Sequence, residues 1–149
     1  MRTLSLQMRL TMWYTLALLV AESSTNLFRA IFAFGPVGNV AGYGQENLPF
    51  NVSDRREIEL RSPANWLESI RNPTFVFEGA ERRSNIGELN SMSRRTRNPA
   101  IQFHPVNGAN HFSTLAPMTA LIAQKILHDD GDSMNIGFSD AEIAAAFRK

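Results

Sequence analysis

The chain has 149 residues, 44% hydrophobic and 19% charged, which is one domain's worth of sequence with enough apolar side chain for a core. A formal net charge of +1 gives no global field toward nucleic acid or an anionic membrane, so neither is an expected partner. The absence of cysteine excludes disulfides, thiol catalysis and thiolate metal sites. It leaves the compartment open, with a cytoplasmic location as the default expectation.

In chain order, Arg2 and Arg9 precede an apolar run over 10–21 (LTMWYTLALLVA) that Glu22 ends. The run is short for a bilayer span and fits a signal peptide only in part. Leu16, Leu19 and Val20 at helical spacing, with Ala17 and Ala21 allowing close packing, predict a buried helix instead. A polar break at 23–26 leads into 27–34 (LFRAIFAF), which reads as a fully buried strand stopped by Gly35-Pro36. Residues 35–61 have many turn formers and little periodicity, so they read as an excursion carrying short helices or a loop packed over a site. Asn51-Val52-Ser53 fits an N-glycosylation tripeptide, a pattern common by chance.

Ser62-Pro63 is a capped helix start, and the helix is expected to run to about residue 70 with Trp66, Leu67 and Ile70 as its apolar face. Asn72-Pro73 ends it; 74–77 (TFVF) is the next buried strand, and 78–83 (EGAERR) a charged loop. A helix is predicted over 84–95, with Ile86, Leu89 and Met92 at helical spacing. After Asn98-Pro99 come a third strand at 100–103 (AIQF), a turn at 105–110 (PVNGAN), His111, and a helical pattern over 113–127. An acidic turn follows at 129–132, and Ser139-Asp140-Ala141-Glu142 is a capping box opening a last helix over Ile143 and Phe147.

Short buried strands alternating with helices imply a single α/β domain of about three parallel strands with flanking helices. So small a sheet leaves an edge open, which makes a homo-oligomer through that edge an expected partner. Loops at the carboxyl ends of parallel strands carry chemistry, which singles out His111 as a general acid/base. The plain alternative is a loop histidine that caps the next helix. His104 reads as a packing residue, and His128 as a cation at a helix end. Three histidines so scattered make no metal site, and no cofactor is expected. Gly137-Phe138-Ser139-Asp140-Ala141 imitates a nucleophile elbow, but the capping box explains it better.

Three words carry a family resemblance: FRAIFAFGPV (28–37), SPANWLESIRNPTFVFEG (62–79) and NPAIQFHPVNGANHF (98–112). In this order they resemble the C-terminal half of an α/β-hydrolase, nearest the prolyl oligopeptidase and dienelactone hydrolase branch, over roughly 15–128. The resemblance implies a partial α/β-hydrolase fold and a serine-type peptidase- or esterase-like hydrolase. It would transfer an acyl group from a small ester or peptide substrate to serine and then hydrolyse it. The catalytic histidine position falls on His111. The acid loop corresponds to 79–83, where Glu81 is the carboxylate and is assigned as the acid, against its reading as a surface charge beside Arg82 and Arg83. Glu78 is a second possible acid. Residues 15–22 look like the helix after the elbow, but 9–14 (RLTMWY) lack its glycines, Thr11 stands in the serine register, and no G-x-S-x-G occurs in the chain. The expectation is a truncated domain with an atypical segment at 1–14, weakly active or inactive alone. The alternative is a non-catalytic binding or oligomerisation module that keeps the scaffold. A third reading is a gene fragment whose first residues come from a wrong start or a frame change.

Overall fold

The computed structural model describes residues 17–23, 28–43 and 50–148. Its centre is a parallel sheet of three strands, β1 (Ile31–Phe34), β2 (Thr74–Gly79) and β3 (Ile101–Val106), in the order β1-β2-β3. Parallel neighbours need crossovers, and the connections supply them. A helical segment at 17–23 (α1) precedes β1, and α2 (Arg55–Arg61) lies within the connection to β2. α3 (Ile86–Arg95) links β2 to β3, and α4 (Leu115–Leu127) and α5 (Asp140–Ala146) follow.

Side chains alternate across a strand, so each strand feeds two cores. On one face Ile31, Ala33, Val76 and Ile101 pack with Leu18 and Ala21 of α1 and Leu89 and Met92 of α3. On the other, Phe75, Phe77 and Val106 pack with Met118 and Ile122 of α4 and Ile143 of α5. Phe138 stands edge-on to both Phe75 and Phe77, each ring centre 5.1 Å away. Covering both faces is why β2 reads as a continuous apolar run rather than an alternating one.

The expected three strands, the helix after β2 and the capping box at Ser139 and Glu142 are all present. Three features differ. The helix expected from Ser62 resolves into two short 3-10 turns, Pro63–Asn65 and Leu67–Ser69. Competing hydrogen bonds explain this: Trp66 Nε1 donates to the Glu59 carbonyl, and the Asn98 amide donates to the carbonyls of Leu67 and Ile70 that a helix would use. The excursion at 35–61 carries α2, capped by the Asp54 carboxylate on the Arg56 amide. Strands β2 and β3 also run on past their expected ends, to Gly79 and Val106, so Glu78 sits in the sheet opposite Pro105 and not in a loop. The apolar run expected at 10–21 is helical where it is described, and its earlier part, Thr11 included, lies outside the described residues.

The acidic turn has a partner the sequence did not announce. Arg29, just before β1, forks onto Asp129, with Nε 2.5 Å from Oδ2 and Nη2 3.0 Å from Oδ1. It also donates to the carbonyls of Gly131 and Ser133. The bonds from Arg29 and from the Asn135 amide hold the Asp129 carboxyl at about 2, well below the usual carboxylate range. Among the described residues no helix is long and apolar enough to cross a membrane.

Candidate active site

The carboxyl ends of the three strands open on one side of the sheet, and a histidine, a carboxylate and a glycine meet there. β1 leads into Gly35, whose φ of +59° is left-handed and suits a residue without Cβ. Space imposes the same choice, because a Cβ at Gly35 would lie 2.3 Å from Cε1 of His111. The loop after β1 is held by α3, with the Gly38 amide donating to Glu88 Oε2 at 2.9 Å.

β2 delivers Glu78, whose residue is only 1% exposed. Strand parity turns its side chain to the face of Ala33 and Val76, and Oε1 accepts the Gly79 amide at 3.0 Å. The loop after β3 crosses directly over Gly79, where a Cβ would fall 2.4 Å from the Asn110 backbone. Two backbone bonds fasten that crossing, Ala80 N–H to the Val106 carbonyl and Glu81 N–H to the Ala109 carbonyl, both 2.9 Å. Asn110 then shapes the turn: its side-chain oxygen accepts the Phe112 and Ser113 amides, and its carbonyl accepts the Thr114 hydroxyl.

That turn places His111 on Glu78. Nδ1 lies 3.1 Å from Oε2 and 3.3 Å from Oε1 of the carboxylate, and the imidazole side chain is 18% exposed. A carboxylate this buried needs donors to offset its lost hydration, and it has the imidazole and the Gly79 amide. A carboxylate accepting from Nδ1–H fixes the tautomer whose basic lone pair is on Nε2, and it stabilises the ring when that nitrogen gains a proton. The pair therefore has the parts of a general acid/base.

The carboxylate brought to His111 is that of Glu78. Glu81 is exposed, and its carboxylate accepts the Gly108 amide at 3.3 Å, which ties the turn after β3 to the loop after β2. What raises Glu78 above Glu81 is the extension of β2, which carries residue 78 into the sheet instead of leaving it in the charged loop. The available signal was an acidic residue directly continuing an apolar strand and followed by a glycine.

The other histidines stand apart. His104 is buried on the opposite sheet face and stacks on Phe77, ring centres 5.1 Å apart. Burial pushes its imidazole below the usual value, partly opposed by Asp140. His128 closes α4, with Nδ1 2.6 Å from the Gln124 carbonyl. Among the described residues no three metal-binding side chains gather. One further buried ionisable group lies outside the site: both carboxylate oxygens of Glu22 in α1 are buried without a hydrogen-bond partner, and burial pushes its carboxyl up to about 8.

Compared with protein-family models, with curated proteins and with solved structures, the chain finds no match.

Proposed function

We propose that this chain carries the proton-transfer half of an acyl-transfer site of the serine-hydrolase type. His111 is the acid/base and Glu78 the residue that orients it. The observation that carries this reading is the 3.1 Å contact between His111 Nδ1 and a carboxylate buried at the end of the neighbouring strand. The strand order supports it: the resemblance implies that the acid-bearing and histidine-bearing strands are adjacent and parallel, as β2 and β3 are. In the reaction, His111 Nε2 takes the proton of the attacking hydroxyl or water as it bonds to the acyl carbon. It then returns that proton to the departing alcohol or amine. Glu78 stays ionised throughout. A serine on an elbow is not among the sequence motifs, so the chain alone hydrolyses only activated small esters, slowly and with water as nucleophile.

The test measures p-nitrophenyl acetate hydrolysis by the purified chain and by His111→Gln, with His128→Gln as control, alongside labelling by a fluorophosphonate probe. The expectation is a slow rate that disappears in His111→Gln, persists in His128→Gln, and comes with no probe labelling. An unchanged rate in His111→Gln sinks the acid/base role, and robust labelling overturns the weak-activity reading.

A second reading, a binding or oligomerisation module on the same scaffold, is favoured by the sheet itself. Each outer strand, β1 and β3, has one strand neighbour among the described residues.

A further inference from the structure

The two edges of the sheet are not equivalent, and their hydrogen-bond parity separates them. In a β-strand the N–H and C=O of one residue point to the same side, and those of the next residue to the other. Ile31 N–H bonds the Pro73 carbonyl and Gly35 N–H the Phe77 carbonyl, so residues 31, 33 and 35 face β2. The backbone groups of Phe32 and Phe34 therefore point outward. On the far side, Thr74 N–H bonds the Ala100 carbonyl and Ala80 N–H the Val106 carbonyl. Residues 100, 102, 104 and 106 thus face β2, while 101, 103 and 105 point outward. Of these, Ile101 already donates to the Asn98 carbonyl, and residue 105 is a proline with no N–H to offer. Proline on the outward register of an outer strand is a recognised block to strand addition. The β3 edge is closed by its own sequence. β1 (IFAF) has no proline and no charge, so nothing in it repels another strand.

We propose that the β1 edge is where a second copy of this chain docks, antiparallel, about a twofold axis through Ala33. This commits the oligomerisation reading to one edge and one register. Antiparallel pairing requires the outward-facing residues to meet each other, so Phe32 bonds Phe34 of the other copy and Phe34 bonds its Phe32. Both N–H and both C=O groups of each are used. Ala33 meets its own copy as the pair without mutual hydrogen bonds. The side chains agree with this register. Phe32 and Phe34 lie on the face of Phe75 and Phe77, stacked 5.6 and 5.5 Å from them, so the pairing continues an aromatic row across the joint. On the opposite face two alanines meet, small enough not to clash. Isologous contacts of this kind close at two copies. The strands run in opposite directions, so the two His111–Glu78 pairs lie at opposite ends of the joined sheet and neither covers the other.

The test uses the full chain, which has no cysteine of its own. Cross-strand partners without mutual hydrogen bonds stand close enough for a disulfide. Ala33→Cys is therefore expected to form a covalent dimer under mild oxidation, and Ala100→Cys, beside the β3 edge, is not. Light scattering of the unaltered chain should give twice 16.7 kDa. Amide exchange at Phe32 and Phe34 should slow as concentration rises, with no such change at Phe103. A monomeric mass at high concentration overturns the dimer. A dimer without protection at Phe32 and Phe34, or cross-linked equally through residue 100, overturns the edge and register. A monomer that still shows His111-dependent ester hydrolysis defeats this proposal and leaves the acyl-transfer reading standing.

Discussion

Gly35→Ala is the substitution on which the site geometry makes its sharpest demand. The backbone there is left-handed, which costs a residue with Cβ ~1–2 kcal/mol. The new methyl would also lie 2.3 Å from His111 Cε1, so the ring must move. Moving it gives up the Nδ1 contact and leaves the Glu78 carboxylate with the Gly79 amide as its remaining donor among the described residues. Depriving a buried acceptor of a partner costs ~1–3 kcal/mol. The sum, ~2–5 kcal/mol, lowers the melting midpoint of a chain this size by roughly 5–15 °C. Circular dichroism melts measure that drop, and long-range 15N correlation spectra report whether His111 keeps its proton on Nδ1. Gly42→Ala is the control, since a Cβ there meets nothing within 4 Å, and it should change little. If Gly35→Ala melts with the parent and His111 keeps the same tautomer, the described packing of ring, glycine and carboxylate is wrong.

Three further expectations follow from named groups. Glu78→Gln should slow His111-dependent ester hydrolysis at least about tenfold, equivalent to ~1.4 kcal/mol of lost orientation, whereas Glu81→Gln leaves it unchanged; the reverse order would return the acid role to Glu81. Glu22, raised from 4.5 to about 8, binds its proton more tightly folded than unfolded, so its contribution is complete below pH 4.5 and lost as pH climbs toward 8. Glu22→Gln should therefore be more stable than the parent in denaturant melts at pH 8.5, with the gain shrinking toward pH 4.5, and a gain independent of pH would contradict this. His104 is shifted the other way: lowered from 6.5 by burial, it supports the fold above that pH and withdraws support as pH falls below it. His104→Phe, which also removes the unpartnered Nε2, should flatten the acid side of the stability profile; an unaltered profile assigns that slope elsewhere.

The sheet was legible because its strands are buried on both faces, and Ile31, Phe75 and Val76 write that burial as plain apolar runs between Gly/Pro breaks. His111 was legible as the residue ending a loop after such a strand. Glu78 was harder, because nothing local distinguishes a carboxylate that continues a strand from one that begins a charged loop. Its place depends on pairing with β3, a contact made 27 residues later at Pro105. The helix expected at 62–70 failed for a similar reason, since Asn98, far along the chain, takes the carbonyls on which a regular helix depends. Local patterns specified which segments are buried, and distant hydrogen bonds decided where they stop.

The Arg29 fork has a consequence for the order in which the chain becomes a protein. It joins the residue before the first strand to Asp129, 100 residues further on, and β1 itself finds its neighbour only at Thr74. As the chain leaves a ribosome, the β1 segment must therefore wait for most of the polypeptide before its anchor exists. Contacts of such long sequence separation slow folding and prolong the exposure of apolar segments. For IFAF, whose outward edge carries no proline or charge, that interval is the time of greatest risk of joining a strand of the wrong molecule.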